Sequence, residues 1–157
     1  MQNIKYFAMD VDGTLTDGKI YMGNTGEMFK AFNIKDGYGI NEILPKLCIT
    51  PIIITGRKSD IVKNRCNELH IDLFFQNIHD KLTKLKEIVG ADNLDKVAYI
   101  GDDLNDIEVM RAVKSNGGIV GCPKDAIDEV VEISDFVSSH NGGDGAVRDF
   151  IDYLKKL

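Results

Sequence analysis

Short apolar runs, each closed by glycine, aspartate, asparagine or proline, recur along the chain at 4–12, 49–56, 71–77, 97–103 and 117–123. Their Val, Ile and aromatic content predicts strands. Between them, over 36–47, 59–69, 79–90, 105–113 and 145–157, apolar residues fall three and four apart. That is the spacing of amphipathic helices, the first of them limited near its end by Pro45. Near-continuous apolar strands separated by helices are buried on both faces, which predicts an α/β fold: a doubly wound parallel sheet covered by helices. One segment breaks the rhythm. Residues 19–32, KIYMGNTGEMFKAF, carry two short alternating runs around Gly23, Asn24 and Gly26, and predict a β-hairpin inserted after the first strand. A chain of 157 residues fits one domain, 1–157, with no second folding unit.

Charge narrows the partners. With 25 acidic residues against 19 Lys and Arg, the chain lacks the basic footprint that tracks a nucleic-acid backbone. The N-terminal apolar stretch is too short for a signal peptide, and nothing approaches the ~20 apolar residues of a membrane span, so a cytoplasmic protein is expected. Cys48, Cys66 and Cys122 form no C-x-x-C pair, and reduced structural thiols are the default. His70, His79 and His140 do not cluster at zinc-ligand spacing.

The charged and glycine-rich motifs fall at the ends of predicted strands, where an open α/β sheet binds ligands. Asp10 and Asp12 follow the first run, Thr55, Gly56 and Arg57 the second, Asp102 and Asp103 the fourth. Taken alone, such aspartates are turn formers or helix caps, and Asp103 and Asp106 are assigned no further role. Crowded carboxylates stay ionised only around a cation, and an all-oxygen site with few protein ligands suits Mg²⁺. A calcium loop fails on pattern, since Thr14 and Leu15 stand where it requires Asp or Asn and then Gly. Beside Mg²⁺ an aspartate can attack phosphorus. Phosphoryl transfer then needs charge neutralisation, which Lys81 at a helix start and Thr55 can supply. Asp12, two residues from Asp10, has the spacing of an acid/base.

DVDGT, the strand ending in Thr55-Gly56, Lys81 and GDDLND at 101–106 occur in the order of the four motifs of the haloacid dehalogenase superfamily, the Asp-nucleophile phosphatases with a Rossmann-like fold. FNIKDGYGI, IITGRK, the stretch around Arg65, VAYIGDDLND and GGDGAVRDF further resemble the 3-deoxy-D-manno-octulosonate 8-phosphate phosphatase family, which lacks a cap domain. The resemblance implies Asp10 as nucleophile and metal ligand, and Asp12 as acid/base with its carbonyl on the metal. It implies Asp102 as the remaining ligand, and Thr55 and Lys81 on the phosphate. The sugar acid would be held by the loop Asn33, Ile34, Lys35, Asp36 and Gly37, by Asn41 and Gly56, and by Arg57 and Arg65, whose guanidinium groups suit a carboxylate. Relatives acting on nine-carbon sugar phosphates carry Glu where Arg57 stands, which favours the eight-carbon substrate. The resemblance also implies a homotetramer built on the hairpin. The competing readings are a nine-carbon sugar phosphatase and a non-catalytic assembly module, against which the complete set Asp10, Asp12, Thr55, Lys81 and Asp102 counts.

Overall fold

The computed structural model describes residues 3–157. Six parallel strands form one sheet in the order β5-β4-β1-β6-β7-β8: β1 (Tyr6–Met9), β4 (Thr50–Ile54), β5 (Leu73–Phe75), β6 (Val97–Ile100), β7 (Ile119–Cys122) and β8 (Phe136–Val137). The chain starts at the centre, winds outward to β5, then returns beside β1 to wind the other way. This is the doubly wound, Rossmann-like arrangement that the pattern of apolar runs predicts. Side chains alternate between two cores, as the pleat requires. Phe7, Met9, Ile53 and Ile100 pack under α2 (Asp60–Glu68) and α6 (Ala146–Leu154). Ala8, Ile52, Ile54 and Tyr99 pack under α3 (Lys81–Val89), α4 (Leu104–Ser115) and α5 (Asp128–Ile133). The opposite windings separate between β1 and β6, so a crevice opens there above the strand ends.

The hairpin is present as β2 (Tyr21–Gly23) and β3 (Gly26–Phe29), an antiparallel pair forming its own small sheet. The Tyr21 and Phe29 rings stack at 4.4 Å. Ile20, Met22, Met28 and Phe29 remain exposed.

Two parts of the architecture differ from the sequence reading. Instead of one helix over 36–47, the chain forms a short α1 (Ile34–Tyr38), a π turn over Gly39–Ile43 and a 3₁₀ turn over Pro45–Leu47. Pro45 has no N–H and its ring would clash with the carbonyl four residues back, so the coil widens ahead of it, and Leu44 N bonds Gly39 O at 3.0 Å. The second difference is an addition: α5 and β8 arise in a stretch assigned no element, because six helical and two strand residues are too few to set up a period. β8 is held by packing, with Phe136 stacked on Phe150 at 5.4 Å and on Tyr153 at 4.7 Å.

The glycines of 142–145 turn the chain closely against the loop following Asp10. Gly143 N donates to Thr14 O at 3.1 Å. Gly143 has φ +72°, and a Cβ there would lie 2.6 Å from Asp17 N and Thr16 C. Because both the backbone conformation and the contact exclude a side chain, Gly143→Ala is expected to cost about 2 kcal/mol or more in urea unfolding. Wild-type stability in that variant would show that the tail does not brace the loop.

Candidate active site

Strand register sets the site. Met9 pairs with Ile53 and with Ile100, so Asp10, Thr55 and Asp102 emerge at the same edge of three adjacent strands. The loop after Asp10 turns tightly, the N–H groups of Thr14, Leu15 and Thr16 all donating to Val11 O at 2.9–3.1 Å. At Gly13, φ is +90° and a Cβ would fall on the Asp102 carboxylate. The glycine is what lets the first motif touch the fourth.

Lys81 begins α3, capped by Asp80, whose Oδ1 accepts Thr83 N–H at 2.9 Å. Although a lysine, it is 2 % exposed. Its Nζ lies 3.0 Å from Asp10 Oδ1 and 2.7 Å from Asp106 Oδ1. Asp106 is fully buried. Its Oδ1 also accepts Tyr99 Oη–H at 2.8 Å, while its Oδ2 accepts the N–H groups of Asp102 at 3.0 Å and Asp103 at 3.3 Å. Asp106 thus completes the capping box of α4, as a cap reading would have it, and in addition fixes Lys81 and the turn that presents Asp102. The GDDLND motif contains it, but its spacing alone does not distinguish cap from site. Asp102 Oδ1 accepts Thr14 Oγ1–H at 2.9 Å.

Asp10, Asp102 and Asp106 each present an oxygen within 4.8 Å of the others. Three carboxylates against one ammonium leave two negative charges uncompensated. Both oxygens of Asp106 are engaged by donors, so Asp10 and Asp102 are the pair suited to a hard divalent cation, and the donor set fits Mg²⁺. The electrostatics agree. Burial, then repulsion from Asp106, holds the Asp10 carboxyl up at about 7 despite the opposing Lys81 charge. Burial, then Asp10 and Asp106, holds Asp102 up at about 8. Burial would lower Lys81, but the charges of Asp10 and Asp106 outweigh it and raise it.

Above the carboxylates lies a crevice of about 150 Å³, lined by Asp10, Asp12, Thr55, Gly56 and Arg57 together with Asp103 and Asn105. Asn105 was not among the residues singled out from the sequence. Thr55 is buried, and Arg57 stands half-exposed with its Nη2 3.4 Å from Glu27 Oε2 on the hairpin. Arg65 is elsewhere, lining a second, narrow cavity of about 10 Å³ with Phe32, Asn33, Asp36 and Gly37. Its guanidinium lies 5.5 Å from the Phe32 ring centroid and bonds Glu68 at 2.8 Å, and its Nε is buried without a hydrogen-bond partner.

The remaining predicted residues spread out. Asn33 caps α1 by accepting Lys35 N–H at 2.8 Å, while Ile34 and Lys35 are exposed. Asp36 is buried and accepts Arg148 N–H at 2.8 Å, capping the first turn of α6, and burial raises its carboxyl. Asn41 gives its amide to Glu42 at 3.0 Å and lines neither cavity.

No family model matches the chain. The curated 3-deoxy-D-manno-octulosonate 8-phosphate phosphatase KdsC of Escherichia coli (strain K12) is 43 % identical over 155 residues, 98 % of this chain and 80 % of that protein. The chain belongs to this phosphatase family. Among solved structures, the Moraxella catarrhalis 3-deoxy-D-manno-octulosonate 8-phosphate phosphatase in complex with a magnesium ion, a phosphate ion and KDO superposes with TM-score 0.89 at 38 % identity, covering 99 % of this chain and 87 % of that one. The cobalt-bound phosphatase of Haemophilus influenzae gives TM-score 0.90 at 34 % identity, covering 99 % and 89 %. As in the rest of this phosphatase family, a haloacid dehalogenase-type hydrolase fold carries the motifs.

For a phosphatase of this family the raised carboxyls have a measurable consequence. A carboxyl at about 7 or about 8 when folded, against 3.8 ordinarily, binds protons in the native state that the unfolded chain has released. The stability these groups contribute is full below that ordinary value and is lost as pH rises through 7 and 8. Mg²⁺ relieves the repulsion that remains once the protons leave. The rise in Tm on adding Mg²⁺ is therefore expected to be larger at pH about 8 than at about 5.5, with protons released on binding at the lower pH. A gain independent of pH would separate the metal from these carboxylates.

Proposed function

We propose that this chain, as a single catalytic domain over 1–157, is a Mg²⁺-dependent phosphomonoesterase for 3-deoxy-D-manno-octulosonate 8-phosphate, working through an aspartyl-phosphate on Asp10. The observation that carries the reading is the convergence of Asp10 and Asp102 at adjacent strand ends with Lys81 and Asp106 from two helix starts, beneath a crevice walled by Thr55 and Arg57. Magnesium held by Asp10, Asp102 and the Asp12 carbonyl would neutralise and orient the phosphoryl oxygens. Asp10 attacks phosphorus as the bond to the sugar oxygen breaks. Asp12 gives that departing oxygen a proton, and takes one back from the water that later hydrolyses the aspartyl-phosphate. Lys81 and Thr55 balance charge on the transferring group, with Lys81 aimed by Asp106 and Tyr99.

Substrate choice rests on Arg57, a cation at the crevice where a sugar carboxylate can be gripped in two places. Arg rather than Glu here favours the eight-carbon over the nine-carbon substrate. Arg65, Asn33, Asp36 and Gly37 line a narrow cavity of their own; in this reading they set the far wall of the sugar site. Asn41 is left without a contact that supports such a role. An assembly module without chemistry would have no need of a buried lysine held between two carboxylates.

The exposed hairpin residues Ile20, Met22, Met28 and Phe29, with Ile34 and Tyr38 of α1, support a homotetramer in which neighbouring copies cover them and border the crevice. The acidic charge and the absence, among the described residues, of a helix long and apolar enough to cross a membrane accord with a cytoplasmic enzyme.

A screen of phosphate release over eight- and nine-carbon keto-sugar acid phosphates, with Mg²⁺ and with EDTA, tests the reading. The eight-carbon substrate is expected to lead, and no metal-dependent release from any of them would refute it. Asp10→Asn is expected to lower kcat about 10³-fold or more while the fold persists, since an amide neither attacks phosphorus nor binds Mg²⁺ well. A folded variant within tenfold of wild type would contradict the assignment. Light scattering is expected to give four times the 17.4 kDa chain mass, and a monomeric chain with full sugar selectivity would exclude the tetramer.

A further inference from the structure

The hairpin does more than present an apolar face. Lys30, directly after β3, has a side chain only 1 % exposed, and its Nζ lies 2.5 Å from Asp12 Oδ1 and 3.1 Å from Glu27 Oε2. Glu27 in turn lies 3.4 Å from Arg57 Nη2 and accepts the Ser59 hydroxyl at 3.4 Å. Asp12, Lys30, Glu27 and Arg57 thus form a chain of alternating charge from the acid/base to the substrate-side arginine. Burying an ammonium is costly, and it persists where carboxylates surround it closely. Nothing in the DVDGT motif calls for this lysine, which reaches Asp12 only because the hairpin folds back over the crevice.

We infer that Lys30 is a positioning residue for Asp12, and that Glu27 holds it in place. The inference rests on the proposed phosphatase chemistry. An ammonium only donates hydrogen bonds. Its contact with Oδ1 makes that oxygen a standing acceptor and leaves Oδ2 as the atom that gives the proton to the leaving sugar oxygen and takes one from the attacking water. The contact also fixes the carboxylate plane, which an otherwise half-buried aspartate on a loop would not keep. Glu27 ties the same lysine to Arg57, so the group that aims the acid and the group that meets the sugar share one anchor.

The proton matters in proportion to the leaving group. An alkoxide needs it as the P–O bond breaks, whereas p-nitrophenolate is a weak base that departs without it. The value of kcat/KM covers steps up to phosphoryl transfer to Asp10, and the ratio of kcat/KM for an alkyl phosphate to that for p-nitrophenyl phosphate cancels general damage to the site. Wild type is measured first, with Mg²⁺, over the sugar phosphates. Absence of release there refutes the proposed function, whereas the Lys30 inference is scored on whichever alkyl phosphate the wild type hydrolyses. Lys30→Met is expected to lower the ratio about 30-fold, and Lys30→Arg, which restores donors at similar reach, to bring it back within about fivefold of wild type. A ratio unchanged within about threefold in folded Lys30→Met, or equal loss on both substrates, overturns the inference. Glu27→Gln leaves Lys30 in place with one charged partner fewer and is expected to lower the ratio about fivefold; it decides the matter if Lys30→Met does not fold, and an unchanged ratio there overturns the inference equally.

Discussion

Three aspartates and one lysine are gathered where water is largely excluded, and much of the structure around them serves to make that tolerable. Asp10 is pushed up by burial and by Asp106, and Asp102 by burial, Asp10 and Asp106, while Lys81 is held charged by Asp10 and Asp106. A group of this kind cannot be kept by an isolated loop. It needs strands in fixed register to bring Asp10 and Asp102 side by side, a helix whose first residue is Lys81, and a second helix whose first turn places Asp106 under both. The residual negative charge is what a divalent cation cancels, so the same crowding that weakens the metal-free fold at alkaline pH supplies its affinity for metal.

Most of this was legible in the sequence for an elementary reason: parallel strands buried on both faces must be apolar, and they end where polar residues can meet solvent or ligand. Asp10, Thr55 and Asp102 sit at those ends, and strand order brings them together. What the sequence could not display is contact across the chain. Asp106 looks like a cap because it is one, and only the fold reveals Lys81 and Tyr99 on its other oxygen. Asp36, read as part of a sugar-binding loop, caps α6 through Arg148, a partner 112 residues away that no local pattern marks. The break of the helix at Gly39–Ile43 follows from Pro45, but how the chain would widen there depends on the packing of Ile40 and Leu44 into the core.

The two arginines assigned to the sugar divide on the same grounds. Arg57 follows a strand end and therefore reaches the crevice. Arg65 lies in the second turn of α2, and its direction is set by Phe32 and Glu68, which places it in the adjoining cavity with Asn33 and Gly37. Its Nε and Asp36 Oδ2 are the buried side-chain polar atoms without hydrogen-bond partners among the described residues. Such atoms are costly in a finished core. Both residues line the same narrow cavity, which at about 10 Å³ has room for little more than a water molecule.

The hairpin links these parts. Its tip leaves Met22 and Met28 in solvent, while its base buries Lys30 against Asp12 and sets Glu27 against Arg57. One short insertion, too small to be a domain, thereby touches Asp12 and Arg57 at its base while leaving an apolar tip exposed. A two-stranded hairpin is marginal on its own. Its conformation must be borrowed from what it contacts, the ionic chain at its base. An enzyme without a cap domain has few ways to hold a loop aspartate against an open crevice, and a strand pair whose base buries Lys30 against Asp12 is one that this sequence supplies.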